Sequence, residues 1–283
     1  MRSRRVAALA FGIAVLLVAG TVASAADVQM TFYGNQHFKF VTPGGQVILI
    51  NPWVKGNPDW PKDMKIEEVR KVDAIFVSGG HGDDMGQADE IAKQSGATIV
   101  TPAELGTYFQ LAGVPALQIF GSAAGGQGAI AGVTYQIVHT HHGTGYTVPN
   151  NLLRQYGGVN SGYILTFDNG LKVYFASSSP LTMEFQLFGS RYKPHVAALL
   201  PIGGRFQMHP DDAAYAAKLL TTDNPNLKTV VPQHHRLNAP SPGGPGATPE
   251  AFDAEVKKLG LPLAVLNPKI GQTYTITATG EIK

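Results

Sequence analysis

Ser78-Gly79-Gly80-His81-Gly82-Asp83-Asp84-Met85-Gly86 follows an apolar run, residues 72–77, and precedes a helical pattern that starts near Gln87. The run reads as a buried strand, the paired glycines as a tight turn, and the whole as strand, loop, helix. One imidazole and two carboxylates gather at the strand's end. These donors suit a divalent ion of the zinc, manganese, iron or nickel kind.

Upstream, the spacing predicts strands at residues 28–33, 37–41 and 46–50, the last two split by Thr42-Pro43-Gly44-Gly45. Downstream it predicts a helix over 87–94, a strand over 97–100, and a helix over 102–111 opened by a Thr101 cap with Pro102 in its first turn. Residues 121–128 are glycine-rich, but no Lys-Ser or Lys-Thr follows, so they read as a hairpin turn or solvent loop rather than a phosphate loop. A strand over 133–139 ends in His139-Thr140-His141-His142, and a long loop over 143–160 follows. A hairpin pairs 162–167 with 171–176 across Asp168-Asn169-Gly170. Then come a helix through Phe185, a strand over 196–201, a helix near 211–220 and a short strand over 229–232 that leads into Gln233-His234-His235. A Pro/Gly loop over 241–248, a helix over 249–259 and strands near 263–266 and 273–277 close the chain. Two β-rich halves, each ending in helices, predict two sheets packed face to face with helices outside, a four-layer αββα sandwich of mixed α/β (α+β) class.

Residues 1–25 carry the marks of a secretory signal: Arg2, Arg4 and Arg5, then an apolar stretch over 7–22, then Ala23-Ser24-Ala25 as a cleavage site. The apolar stretch is short of the ~20 residues that span a bilayer, so no stable membrane span is expected after cleavage, and the protein is expected in the periplasm or outside the cell. Residues 26–283 are expected to form one large domain. Removing 1–25 takes away three basic residues and no acidic one, which turns the net charge of +2 into −1. That balance excludes a nucleic-acid partner and leaves a small molecule. The chain has no cysteine, so any metal is held by His, Asp or Glu.

Several segments together resemble the metallo-β-lactamase superfamily, in particular the branch of small metal-dependent hydrolases similar to ascorbate-phosphate lactonase. Thr31-Phe32-Tyr33-Gly34 resembles that branch's first strand, and Ile48-Leu49-Ile50-Asn51-Pro52-Trp53 its I-D-P turn, with Asn51 where Asp is usual. The longest match is Leu199-Leu200-Pro201-Ile202-Gly203-Gly204-Arg205-Phe206-Gln207-Met208, near the branch's L-L-P-I-G-G-x-F-x-M. The loop at 78–86 resembles the superfamily's H-x-H-x-D-H metal loop. His81 and Asp83 match it, while Gly79 and Asp84 stand where it has histidines. The resemblance further implies ligand positions at His142 and His234, and puts Ser178 where a bridging Asp belongs.

A metal set drawn from His81, Asp83, Asp84, His142 and His234 therefore departs from the family's at Gly79, Asp84 and Ser178. Without the bridging carboxylate two dications would repel each other, so at most one ion is expected, zinc first and manganese, iron or nickel after it. His139, His141 and His235 are candidates to stand in for a missing ligand. Asp83 is the expected general base or orienting carboxylate, and Arg205, His209 and His235 the expected substrate contacts. Plainer readings stand beside these. His81 and Asp83 can be a structural turn, Asp84 a helix cap, Ser177–Ser179 a cap for the next helix, and the 139–142 histidines surface groups. Two functions stay open: an exported hydrolase using one metal ion on a small ester, lactone, amide or phosphoester, and a non-catalytic binding module on the same fold.

Overall fold

The computed structural model describes residues 26–69, 71–148, 153–238 and 240–283. The expected export segment lies outside them, and so do residues 149–152 of the long loop. Among the described residues no helix is long and apolar enough to cross a membrane.

The first half of the chain runs β1 (Val28–Phe32), β2 (Phe38–Val41), β3 (Val47–Ile50), β4 (Ala74–Phe76), α1 (Gly82–Met85), α2 (Ala88–Ser95), β5 (Thr98–Pro102), α3 (Gly106–Leu111) and β6 (Ile119–Ser122). The second half runs β7 (Gln127–Ile130), β8 (Val133–His139), β9 (Tyr146–Thr147), β10 (Arg154–Gln155), β11 (Ser161–Phe167), β12 (Lys172–Phe175), α4 (Glu184–Tyr192), β13 (Val196–Pro201), α5 (Pro210–Leu220), β14 (Thr229–Gln233), α6 (Pro249–Lys258), β15 (Ala264–Val265) and β16 (Thr273–Ile276).

Fourteen of these strands form two seven-stranded sheets, in the orders β16-β1-β2-β3-β4-β5-β6 and β15-β14-β13-β12-β11-β8-β7, and β9 and β10 pair as a separate ribbon. Each sheet is antiparallel over its hairpins and parallel where helices cross over. Side chains alternate between the faces. In β3, Ile48 and Ile50 join the core between the sheets while Leu49 packs outward under Ile91 and Phe109. Phe40, Phe76, Tyr163 and Phe175 fill the space between the sheets. Phe185, Ala213, Leu220 and Phe252 cover the outer face of the second sheet. Burying each Phe or Leu of this kind contributes roughly 1.5–3 kcal/mol. The result is the expected αββα arrangement.

Three details depart from the sequence reading. Thr101 and Pro102 do not open a helix. They close β5, whose parallel register with β6 sets Thr101 opposite Gly121 and Pro102 opposite Ser122, so α3 starts only at Gly106. Residues 121–128 are no hairpin turn, because they cross from the edge of one sheet (β6) to the edge of the other (β7). And β16 leaves the second half to pair with β1.

Hydrogen bonds tie the two sheets together at one end. The Tyr163 hydroxyl donates to the Val77 carbonyl (2.7 Å), Ser161 N to Ser78 O (2.9 Å), and His234 N to Asn35 O (2.7 Å). The loops after β4, β8, β12 and β14 meet there.

Candidate metal centre

Gly80 lets the loop after β4 close. A Cβ at that position would lie 2.1 Å from the Thr144 carbonyl oxygen. His81, in extended conformation, caps the single-turn helix α1 with its carbonyl, which accepts from Asp84 N and Met85 N. Consecutive residues on a helix point about 100° apart. Asp83 therefore faces out into a cavity of about 670 Å³, while Asp84 turns inward and is buried.

His81, Asp83, His142 and His234 all line that cavity. The Asp83 Oδ2 atom accepts from Asn35 Nδ2 (3.2 Å) and lies 3.1 Å from His234 Nε2, whose ring also lies 3.1 Å from Ser178 Oγ through Nδ1. The His81 and His142 rings meet edge to face with centroids 5.1 Å apart. Asn35 and His234, joined by the hydrogen bond His234 N to Asn35 O, both hold left-handed backbone, with φ of 53° and 56°. Asn adopts that conformation readily and His less so, and such local cost collects at functional sites.

The charges are arranged for binding a cation. Burial alone would raise the Asp83 carboxyl. The hydrogen bond and charge of His234, with Asn35, outweigh it and hold Asp83 well below the usual carboxylate range. Burial lowers His81, and together with the neighbouring His81 it pushes His142 down to about 4, so both rings are neutral at pH 7, the form that ligates a metal.

Asp84 belongs to a different environment. Its Oδ1 accepts from Gln36 Nε2 (2.8 Å), Asn51 Nδ2 (3.2 Å) and Ser78 Oγ (3.3 Å), while its Oδ2 is buried without a partner. Burial, and then the Asp83 charge, raise its carboxyl. Two of the four departures from the family pattern, Asn51 and Asp84, thus touch each other. Another, Gly79, lies against the same group. A Cβ there would sit 2.4 Å from Asn160 Nδ2 and 2.7 Å from Asp84 Oδ2. The room for an imidazole at position 79 is taken.

One divalent ion fits this donor set. A single atom from each of His81, Asp83 and Asp84 lies within 4.8 Å of the other two, Asp84 has one oxygen, Oδ2, without a hydrogen-bond partner, and His142 and His234 stand beside them. A second ion does not fit, because position 79 offers no donor and Ser178 has no carboxylate to bridge two cations.

The structure corrects several expectations. Asp84 is not a helix cap, since His81 holds that position. Ser177–Ser179 cap nothing: Ser177 Oγ donates to Asn160 Oδ1 (2.7 Å), Ser178 pairs with His234, and α4 starts later, at Glu184. His235 does not reach the substrate space, being fully buried and stacked on Phe32 at 6.0 Å. His209 precedes α5 and lines an outer groove with Asp211 and Asp212. Arg205 lays its guanidinium over the Phe206 ring (5.0 Å) and does not line the cavity. His139 and His141 face Glu184 instead. In place of the expected contacts, Arg154, Gln207 and Arg236 line the cavity with Met85, Tyr146, Phe206 and Pro242. Arg154 sits in the long loop over 143–160, and Arg236 follows the His234-His235 pair, so both were within reach of the sequence. Asn35 gave no signal beyond its Gly34-Asn35 turn.

Comparison with known proteins gives this geometry its setting. The family described as a β-lactamase superfamily domain matches residues 46–235. A UPF0173 metal-dependent hydrolase of Chloroflexus aurantiacus is 33% identical over 249 residues, covering 88% of this chain and 98% of that protein. One of Myxococcus xanthus is 35% identical over 263 residues, covering 92% and 88%. Among solved structures, Igni18, a metallo hydrolase from the archaeon Ignicoccus hospitalis, superposes with a TM-score of 0.72 at 27% identity, over 88% of this chain and 98% of that one. The fold, the strand-end cavity and these near end-to-end matches agree: the chain belongs to the UPF0173 metal-dependent hydrolases of the β-lactamase superfamily.

Proposed function

We propose that this protein hydrolyses a small anionic ester, lactone or phosphoester with a single divalent ion, zinc before manganese, iron or nickel, held among His81, Asp83, Asp84, His142 and His234. The observation that carries the reading is the meeting of His81, Asp83, His142 and His234 in a cavity that Arg154 and Arg236 also line, with the unpartnered Oδ2 of Asp84 buried beside them.

Such an ion, when bound, supplies Lewis acidity and a more acidic water. The chain's own residues do the rest. His81 and His142 offer neutral imidazole nitrogens. Asp83, held ionised by His234 and Asn35, is too weak a base near neutral pH to take a proton readily, so its role is orientation. His234 is fixed from both ring nitrogens, by Asp83 on one side and Ser178 on the other. Arg154 and Arg236 carry no ion pair among the described residues and meet a carboxylate or phosphate on the substrate. Phe206, Met85 and Tyr146 take its apolar part and exclude water.

The test is a panel of chromogenic esters, lactones and phosphoesters with zinc, manganese or nickel added, run beside Asp83→Ala and His234→Ala. Wild-type turnover that a chelator abolishes, and that both variants lose, is the expected result. Equal slow rates in all three proteins would defeat the hydrolase reading and leave the binding module. The proposal includes export, on the character of residues 1–25. Amino-terminal sequencing of the cellular protein is expected to begin near Ala26, and a start at Met1 would refute it.

A further inference from the structure

A second group of metal-binding side chains lies outside the cavity. His139 ends β8 and His141 follows two residues on, so both rings lie on one side of the strand's end, edge to face with centroids 4.3 Å apart. They share one carboxylate. His139 Nδ1 lies 3.3 Å from Glu184 Oε1, and His141 Nε2 lies 3.0 Å from Glu184 Oε2. One ligand atom from each of the three lies within 4.8 Å of the other two. Tetrahedral zinc with bonds of about 2.0–2.2 Å keeps adjacent ligand atoms roughly 3.3 Å apart, so the three groups are already near coordination spacing.

The supports are rigid. β8 is held on both sides, by β11 and β7, with His139 opposite Ser161. Glu184 is the first residue of α4, which Phe185 and Phe188 pack against Tyr174. Thr182 Oγ1 donates to Glu184 Oε2 at 3.4 Å and helps to set the carboxylate. The Tyr174 hydroxyl, fully buried and unpartnered, lies close enough to Glu184 to feel its charge. Contacts between exposed imidazoles and a carboxylate stabilise little by themselves. A cation shared by all three groups offsets the cost of holding them on one point better than those contacts do. About half of the His141 side chain is open to solvent, so water can complete the coordination.

We propose that His139, His141 and Glu184 form a second, peripheral metal site that takes one borderline divalent ion of the zinc, nickel or copper(II) class. It is distinct from the cavity, whose lining includes none of the three. His142, the next residue, does line the cavity, so an ion at this site also anchors the segment that carries a cavity ligand. The inference does not rest on hydrolysis.

The test is zinc chloride titration of the chelator-stripped chain, read by calorimetry and by elemental analysis after dialysis. His81→Ala/His234→Ala removes cavity donors and leaves the peripheral group intact. That double variant is expected to bind one equivalent. Adding His141→Ala or Glu184→Gln to it is expected to weaken that binding at least tenfold, with the circular dichroism spectrum unchanged. Both replaced groups are part-exposed, and Glu184→Gln keeps its shape, so folding is preserved. Failure of the double variant to bind zinc, or binding that His141→Ala and Glu184→Gln leave untouched, would overturn the proposal. Neither result depends on whether the cavity turns over substrate.

Discussion

Neighbouring residues at the site end of the sandwich are split between the cavity and the surroundings that enclose it. Asp83 faces the cavity and Asp84 the core. His234 faces the cavity and His235 is fully buried against Phe32. His142 lines the cavity while His141 turns to Glu184 outside it. The cavity-facing members keep ligating atoms open or hold each other in place. The core-facing members are enclosed, and their polar atoms are satisfied by the chain or left orphaned. A motif read as a string of ligands is thus two layers with different duties. Chemistry depends on the first layer, with the buried Asp84 oxygen beside it, and folding on the second.

The largest expected effects separate the layers. Asp83→Ala or His234→Ala is expected to lower kcat/KM by about 10²-fold or more, the scale of removing a positioned group from the reacting atoms. Both side chains border the cavity, so the urea midpoint is expected to move little. Loss of folding without specific loss of turnover would merge the two layers.

The next effect lies on the core side. Gly79→Ala drives a methyl group to 2.4 Å from Asn160 Nδ2 and 2.7 Å from Asp84 Oδ2. Overpacking of this kind costs about 1–3 kcal/mol, to be read from urea unfolding. Asn160→Ala, combined with it, opens room and is expected to recover part of the loss. Restoring the family's ligands through Gly79→His, Asp84→His and Ser178→Asp therefore calls for Asn160→Ala as well. An unchanged midpoint in Gly79→Ala would mean that position 79 is open and that one-ion binding needs another cause.

A third effect sharpens the cavity side. Arg154→Ala and Arg236→Ala are each expected to raise KM about tenfold, roughly 1.4 kcal/mol, for anionic substrates with kcat little changed, and to leave neutral esters unaffected. Equal losses on charged and neutral substrates would place the two guanidiniums in a structural role.

The sequence exposed the fold more fully than the site, for a physical reason. Strand alternation and turn residues act locally, so the order of strands, the Asp168-Asn169-Gly170 hairpin and the two facing sheets were legible. The 102–111 helix was misread because pairing with β6 held Thr101 and Pro102 in a strand, a long-range effect that no local signal carries. At the site, the ligand candidates at strand ends could be named from the chain. Which member of each adjacent pair turns inward depends on α1's single turn and on the left-handed backbone at His234, and neither is written in the residues. The contact among Asn51, Gly79, Asp84 and Asn160 spans over a hundred positions and becomes visible only in three dimensions.

The last expected effect tests the core layer away from any ligand. His37 is fully buried, stacked on Trp60 with centroids 5.6 Å apart, its Nδ1 lies 3.3 Å from the Trp53 carbonyl, and its Nε2 is unpartnered. Burial pushes its pKa from 6.5 down to about 3. The folded chain therefore refuses a proton that the unfolded chain accepts. The neutral ring's contribution is complete above pH 6.5, and stability falls as the pH drops from there toward 3. One such group gives a slope of at most one proton, about 1.4 kcal/mol per pH unit. His37→Phe keeps the aromatic packing against Tyr33 and Trp60 but cannot titrate. Urea midpoints between pH 4 and 7 are expected to depend less steeply on pH in this variant than in wild type. Other buried groups titrate in both proteins, so the difference in slope isolates His37. Parallel curves would mean that the ring takes up its proton without leaving the core, and that enclosure at this end of the sandwich is looser than the packing implies.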